Sequence, residues 1–360
     1  MLGRKFVFSL SLFVSAALFT AAPPTLAQQK PSFTVGWSVY VGWNPYYYMA
    51  KSGILKKWAD KYGIDIKVQR FDYAPSLDAF VAKNIDACVM TNMEALDMPA
   101  ASGIDTTVLI VGDSSNGNDA VVTRNLTLAQ LAGKQVLLVE KTVSQYLLER
   151  AMAMNGLASQ IRSMKYVNTS DADIAAAFLT DSSKPAVVTW KPLVAQVLKA
   201  KDAKVIFDSS KIPGEILDLL VTRTDILNRA DGSGQKFAKA ITGAWYEVMG
   251  QMSAPANDKV LTAIAEASKD TLASYKEQLS TTQMFYTPQS AVQVTTSPNL
   301  RKTMNLVREF TFAHGLLGDK TKSVDDVAIQ LPDGTVLGRQ DRIRLRFSTT
   351  FMQLAEQGKL

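Results

Sequence analysis

One cysteine and one histidine in 360 residues leave this chain little scope for several kinds of chemistry. Cys88 has no second cysteine to pair with, so no internal disulfide forms. It lies in an apolar run, residues 86–91 (DACVMT), where a buried structural thiol is expected. One Cys and one His cannot supply a Cys/His zinc set or a thiol-protease pair, and no EF-hand spacing offers a carboxylate metal site. A Ser-His-Asp arrangement would have to use His314, which follows a helical stretch (299–312) and precedes Gly315. That is an ordinary position for a basic residue at a helix C-terminus. There is no nucleophile elbow and no phosphate loop, and the carboxylates are too scattered to mark a catalytic pair. Nothing implies an enzyme or a cofactor. The formal net charge is +6, or +4 without Arg4 and Lys5, and no basic run carries interleaved aromatics, so nucleic-acid binding has no support.

Long apolar runs are also missing beyond the first residues. Arg4 and Lys5 precede an uncharged apolar stretch (6–22), and Thr25, Leu26 and Ala27 end it in small residues. Residues 1–27 therefore read as a cleavable signal peptide and the chain as periplasmic. The alternative is a membrane anchor, but Pro23 and Pro24 stop the run short of the ~20 residues a span needs. About 330 residues remain, enough for two ordinary lobes without disulfide staples.

What is present is a strand–helix rhythm. Strand patterns at 33–39, 64–71, 86–90 and 106–111 alternate with helix patterns, the first starting at Asn44 and Pro45. Thr91 with Glu94, and Thr142 with Gln145, have the spacing of capping boxes. The rhythm restarts after Leu131 with strands at 134–139, 164–167, 187–190 and 204–207. An apolar strand (217–222) and a mainly helical remainder follow, with Phe237, Ala240, Ile241, Ala244, Trp245 and Val248 on one helix face. Residues 331–337 (LPDGTVL) have the pattern of a small hairpin. The alternation implies mostly parallel sheets. The fold class is α/β with two lobes: residues 28–118 and 217–360 form lobe I, residues 119–216 form lobe II, and the chain crosses twice.

Ligands of such sheets bind where strand carboxyl ends meet helix N-termini. The candidate ligand-binding residues there are Tyr40, Trp43, Thr91, Asn92, Glu94, Asp113, Asp119, Glu140, Ser144 and Trp190. Trp43 and Trp190 each precede a Pro-started helix and offer flat faces for a planar or cationic ligand. Each is also readable as a core aromatic near a helix end, but the place at a strand's end before a Pro-started helix favours the cleft. Tyr46, Tyr47 and Tyr48 lie nearby, and three tyrosines in a row cannot all face one cleft. Glu94 has the position of a backbone cap, and Asp113 and Asp119 flank a polar turn. Lys141, Lys191 and Arg124 are the nearby bases, and Glu215 is a weaker acidic candidate. The balance is acidic and suits a neutral amide or small cation better than a sulfonate or nitrate.

Seven stretches in order carry a resemblance: 39–45 (VYVGWNP), 57–64 (KWADKYGI), 90–96 (MTNMEAL), 111–119 (VGDSSNGND), 168–174 (NTSDADI), 187–192 (VVTWKP) and 212–216 (IPGEI). In these the chain resembles the nitrate/sulfonate/taurine-type periplasmic solute-binding proteins, and more narrowly the branch found with urea carboxylase genes. The resemblance implies a type II binding-protein fold, and a membrane permease and an ATPase of an ABC importer as partners. It also implies a small nitrogen-rich ligand such as urea, an amide or guanidinium. The chain departs from that branch at Glu94, where Asp is usual, at Ser114, where an aromatic is usual, and at Lys191, where Asn is common. The implied site has Trp43 and Trp190 sandwiching a planar ligand, Glu94 and Asp119 accepting its N–H groups, and Asn92 and Ser144 completing the shell. The alternatives are a binding protein for a small anion, a sensor subunit on the same fold, and an enzyme of the related pyrimidine-synthesising type. The last has too little His and Cys here. A monomer is expected.

Overall fold

The computed structural model of the chain describes residue 3, residue 5 and residues 30–360. The expected signal peptide lies outside the described residues. Fourteen strands from Pro31 onward form two sheets. Their ranges are β1 Ser32–Trp37, β2 Asp65–Arg70, β3 Ala87–Thr91, β4 Thr106–Ser115, β5 Asp119–Arg124, β6 Gln135–Leu138 and β7 Lys165–Asn168. The others are β8 Ala186–Trp190, β9 Ala203–Asp208, β10 Leu217–Arg223, β11 Thr282–Met284, β12 Ala328–Gln330, β13 Val336–Leu337 and β14 Ile343–Phe347. The larger sheet runs β13-β12-β14-β4-β10-β3-β1-β2, with β11 added beside β4; the smaller runs β7-β6-β8-β5-β9. The first five α-helices are α1 Asn44–Lys51, α2 Ile54–Lys61, α3 Tyr73–Val81, α4 Asn92–Ala101 and α5 Val143–Met154.

The sheets are mixed, not mostly parallel. β10 runs antiparallel between β3 and β4, and β5 runs antiparallel between β8 and β9. The physical reason is that the chain crosses from one sheet to the other twice, by residues 116–118 and 209–216, and each crossing strand enters its new sheet reversed. β5 was the strand the sequence pattern hid. Its apolar run follows a polar turn, and β4 extends through that turn to Ser115. The core is built as the periodicities predict. Phe237, Ala240, Ile241, Ala244, Trp245 and Val248 all lie buried along the helix Ser233–Ser253, where Phe237 stacks on Phe33 at 4.7 Å. Residues 331–337 form the turn and second strand of the β12–β13 hairpin. Cys88 is fully buried, and burial pushes its thiol up to about 12. Among the described residues no helix is long and apolar enough to cross a membrane.

Helix starts deviate in instructive ways. Asn44 is the first residue of α1, not its cap; Trp43 takes the cap position without a side-chain bond, and Asn44 Nδ2 donates to Ser268 at 3.1 Å. Thr142 caps α5 through the Ser144 N–H at 3.3 Å, and Gln145 accepts from Lys141 N at 2.9 Å, so no reciprocal box closes.

Polar contacts tie α5 to the second crossing and to the helix Pro298–Ala313. Arg150 on α5 grips Glu215 of the second crossing with two bonds of 2.7 Å, and Tyr146 adds a third at 2.7 Å. His314, after the helix Pro298–Ala313, faces Glu149 on α5 with Nε2 2.9 Å from Oε2, and stacks on Phe310 at 4.2 Å. The Glu149 carboxylate holds the proton on His314 and raises its pKa, against the opposing effect of burial. Burial pulls Glu149 upward, but hydrogen bonds from His314, Gln145 and Tyr166 leave it lowered.

The sign of the resulting pH dependence follows. A raised histidine stabilises fully below its unfolded value of about 6.5 and loses that effect as pH rises through its folded value. A lowered glutamate stabilises above about 4.3 and loses the effect as pH falls through its folded value. The pair therefore acts fully between about 4.3 and 6.5. His314→Gln is expected to lower stability by at most about 1 kcal/mol at pH 5.5, since the pair is partly solvent-screened, and to change it little at pH 8.5. Urea denaturation at the two pH values checks this; an equal loss at both would show that the charge is idle.

Candidate functional site

The carboxyl ends of the forward strands and the amino ends of the two reversed strands, β10 and β5, meet at the seam, and they carry acids and aromatics. On the larger sheet the register sets Asp218 of β10 directly opposite Thr91 of β3 on one side and Asp113 of β4 on the other. On the smaller sheet Asp119 of β5 is paired with Trp190 of β8. The loop from β1 to α1 brings Tyr40 and Trp43 over the first group, and α3 brings Tyr73. A cavity of about 10 Å³ remains among them, close to the room of one water molecule. Lobe I lines it with Tyr40, Trp43, Tyr73, Thr91 and Asp218, lobe II with Asp119, Val143 and Trp190, and the second crossing with Ile216. A larger depression of about 510 Å³ near Arg301 and Asp333 lies away from this seam, and no buried unpartnered polar atom lines it.

The aromatic side of the cavity is a chain of ring contacts. Tyr40 meets Trp43 at 5.0 Å, Trp43 meets Tyr73 at 5.3 Å, and Tyr73 meets Trp190 edge-on at 5.7 Å. Trp43 follows a strand of the larger sheet and Trp190 ends a strand of the smaller, and Tyr73 touches both. Trp190 Nε1 reaches the Val39 carbonyl at 3.4 Å, a bond across the seam. Trp43 Nε1 is buried without a partner.

The acidic side has no counter-charge. Asp113, Asp119 and Asp218 are buried, and no lysine, arginine or histidine lines the cavity. Burial pushes Asp113 up to about 7, with the charge of Asp119 adding to the rise and hydrogen bonding with Asp218 and from Tyr40 opposing it. Burial likewise takes Asp119 to about 7, with Ser115 donating to it at 2.6 Å. Asp218 stands well above the ordinary carboxylate range, by burial first and by the charge of Asp113 opposite. Like charges facing across strands cannot both ionise cheaply in a dry site. Asp113 Oδ2 and Asp218 Oδ2 have no partner. Gly42 makes room for this group: a Cβ there would sit 2.1 Å from Asp113 Oδ2. The bases named from sequence point elsewhere. Lys191 Nζ binds Glu277 at 2.6 Å and Thr281 at 3.1 Å, Arg124 binds Asp202, and Lys141 is exposed.

Glu94 is fully buried and does not close the capping box its spacing predicted. Tyr73 Oη takes the Thr91 N–H at 3.1 Å, while Glu94 accepts from the Thr91 hydroxyl and, at 2.7 Å, from Val143 N at the start of α5 in the other lobe.

Of the ten candidates, Tyr40, Trp43, Thr91, Asp119 and Trp190 line the cavity, and Asp113 and Glu94 form its buried surroundings. Three are not brought to its wall. Asn92 spends both amide atoms on the second crossing, at Glu215 O (3.1 Å) and Leu217 N (3.0 Å). Glu140 is partly exposed, with its own N–H held by Asn168. Ser144 is buried in the first turn of α5, its hydroxyl without a partner. Tyr46 packs on Trp245 at 5.0 Å, Tyr47 lies by Trp37, and Tyr48 binds Gln251. Sequence reasoning missed Tyr73, Val143, Ile216 and Asp218. A lone acid in the apolar strand 217–222 was the available signal for Asp218.

No family model matches the chain, and no curated protein does. Solved structures do. The alkanesulfonate-binding protein from Xanthomonas axonopodis pv. citri, bound to MOPS, is 16% identical with a TM-score of 0.62, covering 81% of this chain and 96% of that one. The aliphatic sulphonate binding protein from Escherichia coli is 17% identical with a TM-score of 0.57, covering 78% and 94%. The nitrate-binding protein from Synechocystis PCC 6803 is 11% identical with a TM-score of 0.56, covering 91% and 98%. The chain has the two-lobed α/β fold of periplasmic binding proteins. These likenesses do not single out the urea-carboxylase branch.

The facing pair makes a stability prediction. A buried acid whose pKa is raised holds its proton more tightly folded than unfolded. Its penalty is absent below about 3.9 and grows as pH rises from there towards the folded value, which is about 7 for Asp113 and Asp119 and well above the ordinary carboxylate range for Asp218. Asp218→Asn is expected to raise the thermal midpoint of the ligand-free protein by several degrees at pH 8 and to leave it nearly unchanged at pH 4.5. Calorimetry at both pH values checks it; a lower midpoint at pH 8 would mean the charge is compensated.

Proposed function

We propose that this chain is the solute-binding component of an ABC-type importer, exported to the periplasm by residues 1–27 and working as a monomer with a membrane permease and an ATPase. Lobe I takes residues 28–118 and 217–360 and lobe II takes 119–216, and the solute is held in the seam between them. The fold supports this reading. The pyrimidine-synthesising alternative on the same fold has only one His and one Cys to work with. A sensor subunit would use the same cleft, with a kinase as its partner.

Two ligand readings divide on different observations. The compared structures, named for alkanesulfonate, sulphonate and nitrate binding, speak for a small anion and give the urea-like reading nothing. The lining of the cavity speaks for a small planar nitrogen-rich solute, with guanidinium first. One observation carries this: three buried carboxylates and four aromatic rings meet where no basic side chain is present. An anion there would add charge to an uncompensated acidic cluster, whereas a cation supplies the missing counter-charge, N–H donors for Asp119 and Asp218, and a face for the rings. The cavity is too small for more than a water in this conformation, so entry of any solute requires the lobes or side chains to part and re-close, as hinged binding proteins do.

Calorimetric titration with guanidinium, urea, nitrate and methanesulfonate at pH 8 and pH 5.5 tests the reading. Guanidinium is expected to bind tightest at pH 8 and at least about tenfold more weakly at pH 5.5, where protonated carboxylates no longer attract it. Trp190→Ala is expected to weaken it about tenfold or more. Nitrate or methanesulfonate binding more tightly than guanidinium would establish the anion reading instead.

A further inference from the structure

Two helix N-termini from opposite lobes converge on a single carboxylate that the protein itself supplies. α4 begins after Thr91 in lobe I, and α5 begins after Thr142 in lobe II. Each presents the positive end of its dipole at the seam, where Thr91 Oγ1 already takes the Met93 N–H and Thr142 Oγ1 the Ser144 N–H. Such a convergence is a place to hold an external oxyanion. Glu94 occupies it. One carboxylate oxygen accepts from Val143 N at 2.7 Å and the other from the Thr91 hydroxyl, and the side chain is wholly buried. Thr91 and Val143 also line the cavity, so these donors belong to its wall. Independently of the helices, Trp43 Nε1, a buried donor on the same wall, has no partner, and Asp218 Oδ2, a buried acceptor there, has none.

We infer that Glu94 is the specificity-determining residue of this cleft: it fills from inside the position an oxyanion would take and so excludes anions while leaving the acceptors free for a solute with N–H groups. The inference rests on the reading of the cleft as the solute site. It accounts for a fold whose compared structures are named for sulfonate and nitrate carrying a cavity of the opposite polarity. It also ties specificity to closure, because Glu94 hangs from one lobe and its Val143 partner belongs to the other.

The test titrates wild type, Glu94→Ala and Glu94→Gln with nitrate, methanesulfonate and guanidinium, with circular dichroism melts confirming that each variant is folded. Glu94→Ala is expected to bind nitrate or methanesulfonate about tenfold or more tightly than wild type, since it frees the donors and removes the charge. Glu94→Gln keeps the shape and removes only the charge, and is expected to gain severalfold. It decides the question if the alanine variant does not fold. A folded variant that binds both anions no more tightly than wild type overturns the inference. Guanidinium on wild type separates the two readings: no guanidinium binding together with an anion gain in the variants sinks the nitrogenous ligand but leaves the role of Glu94 standing.

Discussion

Asp113 and Asp218 face each other across neighbouring strands, buried, with Asp119 of the other lobe close enough to raise them both and no basic group on the cavity wall. Everything else at the seam is arranged around that uncompensated charge. Gly42 gives the carboxylate of Asp113 its space, Tyr40 donates to it at 3.2 Å, and Ser115 donates to Asp119. The lysine that threatened to neutralise the cluster, Lys191, is drawn off to Glu277. A buried polar group left unpaired costs free energy, and a charged one more. The cluster can be relieved by taking up protons or by receiving a cation, and a binding cleft makes use of both.

The fold makes the cluster possible through its two crossings. Because β10 re-enters the larger sheet reversed, its first residues lie beside the last residues of β3 and β4, and Asp218 arrives next to Asp113. The same reversal in the smaller sheet starts β5 with Asp119 beside Trp190. The contacts of α5 with the second crossing, Arg150 on Glu215, and with the end of the helix 298–313, His314 on Glu149, lie apart from the cavity.

How much was legible in sequence depends on how local each feature is. The helix stripe at Phe237–Val248, most of the strand–helix order, and the gathering of Tyr40, Trp43, Thr91 and Trp190 at or just after strand carboxyl ends follow from periodicity and from the rule that ligands bind there. Parallel pairing was over-predicted, because a crossing between sheets leaves no mark in a periodic pattern. Asp218 was hidden for the same reason: its neighbours are set by where β10 inserts. Glu94 was visible as a capping acid, but the Val143 amide it binds lies 49 residues away, and the Glu149 that pairs with His314 lies 165 residues away. Pairings of that separation are properties of the topology.

The central claim is that the cleft waits for positive charge. A cation entering among raised carboxylates lowers their affinity for protons, whereas an anion raises it. The sign of proton exchange on binding is therefore the most direct measurement. It is obtained by titrating the solute near pH 6.5 in buffers of different ionisation enthalpy. The account predicts net proton release when guanidinium binds; proton uptake on binding of the tightest ligand found would contradict it.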